Sequence, residues 1–180
     1  MITIDTIDTF FLELALAVAG KWKLLDAAII FLGKYFQWPL VLLFVVLVVA
    51  RRKKWLPFLL SSASAVILSR LVIVELIRFL WHRDRPFVEY EFTPLIAHNP
   101  AASFPSAHAA FDFALASVVY AYNRKLGILF FAGSALVAFS RVFAGVHWFS
   151  DILAGAFIGI LSGWIVVHYG KGLLRKFNVQ

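Results

Sequence analysis

No cysteine occurs among the 180 residues of the chain. The protein therefore forms no disulfide bond and has no thiolate ligand for a metal, an absence that fits any cellular compartment. Charged residues are scarce too: they make up 15% of the chain, whereas 62% is hydrophobic and the mean hydropathy is +0.87. Because a soluble globular domain carries about 25% charged residues, the composition predicts an integral membrane protein.

The sequence also lacks linkers, low-complexity segments and internal repeats, which predicts a single domain over residues 1–180. No basic stretch precedes the first apolar residues, as it would in a cleaved signal peptide, so we interpret the whole chain as mature protein. The formal net charge of +7 comes from short clusters between apolar runs. Such clusters act as topology signals, and we expect no nucleic-acid partner.

The apolar runs predict the fold class, an all-α integral membrane protein with a bundle of five or six transmembrane helices. Residues 1–34 contain two shorter apolar stretches, which favour interfacial or re-entrant helices over spans. Residues 35–180 form the predicted helical core that carries the site. Its five predicted spans cover about residues 35–50, 56–80, 105–122, 126–143 and 149–169.

Lysine and arginine set the predicted orientation. Basic clusters at residues 51–54, 123–125 and 171–176 fall at alternate helix boundaries, so we expect them on the cytoplasmic side. The other boundaries, at residues 78–103 and 140–148, then lie on the opposite face. Because that face carries several arginines of its own, it departs from the rule and needs a functional explanation.

Three polar groups meet at this opposite face, and the third of them is the sequence SRVFAGVHWFSD. Its His147 and Asp151 are four residues apart, so on a helix the carboxylate can accept a hydrogen bond from one imidazole nitrogen. The other nitrogen is then free to act as a nucleophile or base. An equally good interpretation is that Asp151 only complements the positive end of a helix dipole.

The second group, SFPSAH, places Ser106 and His108 at a helix N-terminus, whose unpaired N–H groups favour an anion. Taken singly, Ser106 is better explained as an N-cap and His108 as a structural histidine. The first group, RFLWHRDRP, contains Arg78 and Arg85, which are about two helical turns apart. Together with Arg141 of the third group they suit the oxygen atoms of a phosphate, although a lone Arg141 could simply snorkel.

Together, the three groups resemble the signature of the type 2 phosphatidic acid phosphatase family, membrane lipid phosphatases related to vanadium-dependent haloperoxidases. That signature has a basic residue and six others before Arg-Pro, then Pro-Ser-x-His, then Ser-Arg, five residues, His, three residues and Asp. The matching stretches here are residues 78–86, 105–108 and 140–151. Two positions depart from the common pattern, since Arg78 replaces the usual lysine and Ala107 a frequent glycine.

The resemblance implies a phosphohistidine mechanism. His147 attacks the phosphorus, Asp151 orients that histidine, and His108 protonates the leaving oxygen and then activates water. Neither a metal nor a cofactor is implied. The residues that the resemblance implies for phosphate binding are Arg78, Arg85, Ser106, Ala107 and Arg141, the alanine through its backbone N–H.

The position of the site implies the class of substrate. A basic site at the outer headgroup layer suits a phosphorylated lipid, and the SFPSAH context looks like the bacterial undecaprenyl-diphosphate phosphatase branch. We therefore expect a multi-pass protein of the cell membrane whose site faces the periplasm or exterior. Alternatives are a phosphatidylglycerophosphate or phosphatidate phosphatase, a lipid phosphotransferase and, in another class, a non-catalytic lipid-phosphate transporter.

The remaining polar residues receive simpler interpretations. His82, Arg83 and Asp84 shape the pocket or lie on its solvated rim. Asp112, four residues after His108, orients that histidine or serves only capping and packing. We expect Glu75 to pair with Arg78. The loop residues Glu89, Glu91 and His98 gate the site or are solvated. His168 is expected to be unrelated to the chemistry.

Overall fold

A computed structural model describes residues 3–50 and 55–176, with side chains described for residues 3–50 and 56–170. This part of the chain is helical and contains no strand. The basic cluster at residues 51–54 lies outside the described residues. The α-helices are α1 (Ile4–Val18), α2 (Lys23–Ile30), α3 (Gln37–Ala50), α4 (Trp55–Val66), α5 (Val74–Leu80), α6 (Pro86–Glu89), α7 (Ala107–Tyr122), α8 (Arg124–Phe143) and α9 (Phe149–Lys176), and π-helical segments follow α2 (Phe31–Tyr35) and α4 (Ile67–Ile73).

Three helical stretches of the described residues are long and apolar enough to cross a membrane: Leu56–Leu80, Arg124–Phe143 and Phe149–Gly170. The first of these is continuous from α4 through its π-helical segment to α5. Lys23–Tyr35 and Gln37–Ala50 form a fourth candidate span, which is bent by 41°. The prediction of an all-α transmembrane bundle is confirmed.

The central helix of the bundle is α7, which packs against α4, α8 and α9. It has 16 residues, so its length is about 24 Å, less than the roughly 30 Å hydrocarbon core that it was predicted to span. Most of its side chains are buried, and many of them are alanine. Small side chains let neighbouring helices approach closely, which strengthens the packing between helices in a membrane.

Three glycines on α9 bring that helix into backbone contact with α7. A Cβ atom at Gly155 would lie 2.4 Å from the carbonyl oxygen of Ser106, and one at Gly159 would lie 2.5 Å from the carbonyl oxygen of Ala110. Gly163 continues the stripe one turn further along, where a Cβ atom would meet a neighbour at 2.5 Å. Glycine at these positions therefore fixes the distance between the two helices.

A tight turn ends α8 and sends the chain back into the site. Gly145 has a φ of +76°, a left-handed conformation that glycine adopts readily. Its N–H donates to the carbonyl of Val142 at 2.9 Å, and the N–H of Val146 donates to the carbonyl of Arg141 at 3.2 Å. This pair of hydrogen bonds is a Schellman motif. Because the turn is so short, Arg141 and His147 reach the same end of the bundle.

The amino-terminal helix α1 packs on α8 and on the beginning of α9. The ring of Phe11 stacks on that of Phe149, with centroids 4.1 Å apart. Leu12 and Ala15 on the same face of α1 are buried. This packing docks α1 beside the first turn of α9, where the predicted site lies.

Candidate active site

His147 and Asp151 are hydrogen-bonded at the junction of α8 and α9. Nδ1 of His147 donates to Oδ2 of Asp151 at 3.1 Å, and the two side chains are 1% and 0% exposed. A neutral imidazole carries one proton, so this hydrogen bond leaves Nε2 unprotonated, and its lone pair faces Nη1 of Arg85 at 3.3 Å. The geometry that the four-residue spacing predicts for a nucleophilic imidazole is thus present at this end of the bundle.

Asp151 also serves its own helix. Its Oδ2 accepts the backbone N–H of Trp148 at 2.9 Å, as a carboxylate at the third position of a helix commonly does. Its Oδ1 accepts a hydrogen bond from Nη1 of Arg83 at 3.2 Å. The two interpretations of Asp151 are therefore compatible, because one side chain contacts both the helix N-terminus and the imidazole.

Backbone carbonyl groups hold Arg85 against His147. Nε of Arg85 donates to the carbonyl of Ala101 at 2.9 Å, and Nη2 donates to that of Ala102 at 3.2 Å. Nη1 donates to the carbonyl of Val146 at 2.7 Å and lies 3.3 Å from Nε2 of His147. Because the residue is 2% exposed, its charge is weakly screened and acts on any group bound at that nitrogen.

Arg141 and Arg78 carry N–H groups that are buried without an acceptor. Nη1 of Arg141 donates to the carbonyl of Gly33 at 3.0 Å, whereas its Nε and Nη2 have no partner among the described residues. Nη2 of Arg78 donates to the carbonyl of Pro105 at 2.9 Å, and its Nε is likewise unpartnered within the described part of the chain. Each unsatisfied buried donor costs about 1–3 kcal/mol, a cost that hydrogen bonds to a bound anion would remove.

The N-terminus of α7 adds backbone donors. Ser106 is the N-cap of α7, and its Oγ accepts the N–H of Ala109 at 3.4 Å. The N–H of Ser106 donates to the carbonyl of Asp151 at 3.0 Å, which ties the beginnings of α7 and α9 together. The N–H groups of Ala107 and His108 belong to the first turn, so they have no intrahelical acceptor and are available to an anion.

The pKa values of groups outside the spans are shifted first by burial and then by the positive charge of neighbouring groups. Burial lowers the pKa of His147 well below 6.5, and the charges of Arg141 and Arg85, followed by His108, lower it further. Burial also lowers the pKa of Arg85 to about 10, with the charge of Arg78 acting in the same direction. Because the N–H of Ser106 donates to the carbonyl of Asp151, the first turn of α7, with His108, lies beside the first turn of α9, which follows His147.

His98, in the loop between α6 and α7, joins the same cluster. Its ring centroid lies 6.1 Å from that of His147, with the rings nearly perpendicular. Nδ1 of His98 lies 3.1 Å from the carbonyl oxygen of Asn99. Burial, and after it the charge of Arg85, lower the pKa of His98 to about 4. The sequence left His98 as a gating or solvated loop residue, and the structure places it half-buried beside His147.

Two further contacts were missed by the sequence analysis. Asp8 of α1 is 2% exposed and is hydrogen-bonded to Arg83 and Ser150. Gly33, whose carbonyl holds Arg141, lies in the first π-helical segment. The available signals were weak, because one is a single acid in an amphipathic helix and the other is a single glycine in an apolar run.

Other predicted pairings are present only in part. Glu75 lies 3.9 Å from Arg78, but its shorter ion pair is with Arg70. Asp112 accepts a hydrogen bond from Nε2 of Gln37 at 3.1 Å, and its Oδ2 is buried with no partner among the described residues. Asp112 is therefore not hydrogen-bonded to His108 and does not orient it by direct contact.

The remaining residues lie away from the centre of the site. His82 and Asp84 pair with each other at 3.1 Å and are exposed. His168 stacks on Trp164, with ring centroids 5.2 Å apart. Among the described residues, no group of three or more histidines, aspartates or glutamates has an arrangement that could hold a metal ion.

The chain matches the model of the PAP2 superfamily over residues 54–175. It is 35% identical over 107 residues to the undecaprenyl-diphosphatase BcrC of Bacillus subtilis, an alignment that covers 59% of this chain and 55% of that protein. It is 30% identical over 160 residues to an undecaprenyl-diphosphatase of Sulfolobus acidocaldarius, which covers 86% of this chain and 75% of that protein. The chain thus spans about half the length of the first relative and three quarters of the second.

The fold is shared with a solved structure, LpxE of Aquifex aeolicus. The TM-score is 0.65 at 27% identity, and the match covers 88% of this chain and 94% of that chain. The prediction of a multi-pass membrane protein is confirmed by this fold and by the apolar helices, and the predicted enzyme class agrees with the phosphatase names of the relatives. Since the matching model covers more than half of the residues, the resemblance inferred from the three motifs is confirmed, and the chain belongs to the PAP2 superfamily.

Proposed function

We propose that the chain is a lipid phosphatase that cleaves a phosphate or diphosphate headgroup through a phosphohistidine intermediate. The observation that carries this proposal is the environment of Nε2 of His147. Nδ1 of the same ring is bound to Asp151, and Nε2 lies 3.3 Å from a guanidinium nitrogen of Arg85. A lone pair beside a buried cation is suited to attack a phosphorus atom whose oxygens that cation holds.

The reaction has two halves. In the first, Nε2 of His147 bonds to phosphorus while the phosphorus–oxygen bond to the leaving group breaks, and His108 gives a proton to the leaving oxygen. Asp151 stabilises the charge that develops on the His147 imidazole. In the second half, water attacks the phosphorus, His108 takes the proton of that water, and the nitrogen–phosphorus bond breaks to release inorganic phosphate.

The charge on the transferred phosphoryl group is balanced by protein cations. Phosphoryl transfer needs mainly positioning and electrostatic stabilisation, since negative charge is spread over the equatorial oxygens. The unpartnered nitrogens of Arg141 and Arg78 and the first N–H groups of α7 supply donors for those oxygens. Arg85 adds charge at the nucleophile itself. These groups do without a metal what a metal does in many phosphoryl-transfer enzymes.

We propose undecaprenyl diphosphate as the substrate and the extracytoplasmic leaflet as its location. The site lies where spans end, so a lipid can present its headgroup while its tail stays in the bilayer. The names of the two relatives support this substrate, and the basic clusters at residues 123–125 and 171–176 support a cytoplasmic position for the opposite end of the bundle.

The test of the chemistry is the variant His147→Ala, with His168→Ala as the matched control. In detergent, phosphate release should fall to the background rate in His147→Ala and stay unchanged in His168→Ala, because His168 is stacked on Trp164 away from the site. Acid-labile phosphate should become attached to the wild-type chain during turnover. Phosphate release by His147→Ala at the wild-type rate would falsify the nucleophile assignment, whereas a wild-type chain without phosphate release would favour a binding or transport protein.

Two further measurements settle substrate and orientation. A panel of undecaprenyl diphosphate, phosphatidylglycerophosphate and phosphatidate should give the highest kcat/KM with the diphosphate, and a preference for either other lipid would replace the proposed substrate. In intact cells, a cysteine introduced as Asn99→Cys into this cysteine-free chain should react with an impermeant reagent added outside. Reaction only after the cytoplasm is opened would reverse the orientation.

A further inference from the structure

The buried carboxylate of Asp8 connects α1 to the first turn of α9. Its Oδ1 accepts the backbone N–H of Ser150 at 2.8 Å, and its Oδ2 accepts the hydroxyl of the same serine at 2.5 Å. Oδ2 also accepts Nη2 of Arg83 at 2.7 Å. Asp8 is 2% exposed, so these bonds form in a site where charge is poorly screened.

Arg83 bridges Asp8 to the carboxylate that orients the nucleophile. While Nη2 contacts Asp8, Nη1 donates to Oδ1 of Asp151 at 3.2 Å and to Oγ of Ser150 at 2.7 Å. The guanidinium also lies over the ring of Trp148, 5.0 Å from its centroid. Because two of its nitrogens are hydrogen-bonded and its plane lies over an aromatic ring, the guanidinium is held in one orientation. A lysine could not reproduce these contacts.

This arrangement has a chemical consequence for Asp151. A carboxylate with 0% side-chain exposure needs a nearby cation to remain charged, and it must be charged to stabilise an imidazole that is becoming positive. Among the described residues, Arg83 is the arginine that contacts Asp151 directly. Arg83 is itself held in place by Asp8, since its side chain is 20% exposed and long enough to turn toward water.

We propose that Asp8 and Arg83 are positioning residues for the His147–Asp151 pair, and that α1 is therefore part of the active site. Asp8 fixes Arg83, Arg83 fixes the charge and orientation of Asp151, and Asp151 fixes the tautomer of His147. This inference rests on the proposed role of His147 as nucleophile.

A purely structural role for Asp8 makes a different prediction. Asp8 also caps α9 through Ser150, so its loss could act only on folding. The variant Asp8→Asn separates the two roles, because the amide oxygen can still accept the Ser150 N–H while the ionic contact with Arg83 is lost. Asp8→Ala removes both contacts. A structural role predicts that only Asp8→Ala is impaired, whereas a positioning role predicts that Asp8→Asn is already impaired.

The experiment measures kcat and KM for lipid phosphate release on monodisperse protein in detergent, together with the melting temperature. We expect kcat of Asp8→Asn to fall about 10- to 100-fold with KM nearly unchanged. A loss of this size is typical when a reacting group is misplaced by a fraction of an ångström to about 1 Å. The control is Asp5→Asn, an exposed acid one turn earlier on the same helix, which should retain wild-type kcat.

A double-mutant cycle tests whether Asp8 acts through Arg83. Arg83→Met should lower kcat at least as much as Asp8→Asn, and the double variant should resemble Arg83→Met alone, because residues acting in one chain of contacts are not additive. Arg83→Lys keeps the positive charge but lacks the two guanidinium nitrogens that contact Asp8 and Asp151, so its kcat should lie between those of wild type and Arg83→Met. Arg83→Lys replaces Arg83→Met in the cycle if Arg83→Met does not fold.

Three outcomes would overturn the inference: wild-type kcat in Asp8→Asn, multiplicative losses in the double variant, or a folding defect in Asp8→Asn that accounts for all lost activity. These outcomes leave the proposed function standing, provided that wild-type protein releases phosphate and His147→Ala does not. A wild-type chain that released no phosphate from any lipid of the panel would instead remove the proposed function, and this inference with it.

Discussion

Replacing Arg141 by methionine should remove most activity without weakening the fold. Arg141 is 3% exposed, and two of its guanidinium nitrogens have no acceptor among the described residues. Loss of one donor aimed at developing oxyanion charge costs about 10²–10³ in kcat, and Arg141 offers two such donors. We therefore expect kcat/KM of Arg141→Met to fall at least about 100-fold.

The same substitution should stabilise the folded protein. Removal of two unpartnered donors relieves about 1–3 kcal/mol each, and the loss of the hydrogen bond to Gly33 costs about 1–3 kcal/mol. Methionine is flexible and similar in length, so it can fill the space of the arginine stem. The central values leave a net gain of about 2 kcal/mol, which corresponds to a rise in Tm on the order of 4–8 °C for a chain of this size.

The assay combines lipid phosphate release with thermal unfolding followed by tryptophan fluorescence in one detergent. The matched control is Arg124→Met, the same change at an exposed position at the other end of α8, which should leave both readouts near wild type. If Arg141→Met kept more than a tenth of wild-type kcat/KM, or if its Tm fell by several degrees, the view of Arg141 as an anion-binding group held in an unfavourable environment would be wrong.

Three further outcomes are expected. Because burial holds the pKa of His147 below 6.5, the imidazole stays unprotonated and nucleophilic at pH 6.5, so the acid limb of kcat/KM should lie at lower pH; a midpoint at or above 6.5 in a pH–rate profile contradicts this. Gly159→Ala should lower Tm, because its Cβ would lie 2.5 Å from the carbonyl oxygen of Ala110. Gly170→Ala should leave Tm unchanged or raise it, because its Cβ would lie 4.0 Å from Val166. Equal Tm values of the two variants would refute close backbone packing between α7 and α9. Vanadate should inhibit phosphate release and a chelator should not, and recovery of chelated enzyme only by added magnesium would count against the arginine-based mechanism.

The sequence predicted the parts of the site that depend on local spacing. His147 and Asp151 are four positions apart, about one helical turn, so their hydrogen bond follows once a helix begins between them. Ser106 before an alanine-rich run predicts an N-cap, and it caps α7. The alternation of basic clusters with polar groups was sufficient to bring three distant motifs to one end of the bundle.

The contacts that sequence reasoning missed join elements far apart in the chain. Asp8 meets Ser150 across 142 positions, and this contact exists only because α1 packs on the beginning of α9. The carbonyl that holds Arg141 comes from Gly33 in a π-helical segment, 108 positions away. Neither docking of a short helix nor the wider π-helical turn follows from hydrophobic periodicity, which describes one element at a time.

The glycine stripe of α9 also fixes where two imidazoles lie relative to each other. Since α7 and α9 touch through their backbones, the relative placement of His108 and His147 at their beginnings is set by main-chain geometry. The loop between α6 and α7 carries His98 beside His147, and it is tied to this frame through Arg85, which donates to the carbonyls of Ala101 and Ala102. Exchange of that loop should therefore leave the chemistry unaltered only where the carbonyl acceptors of Arg85 are kept.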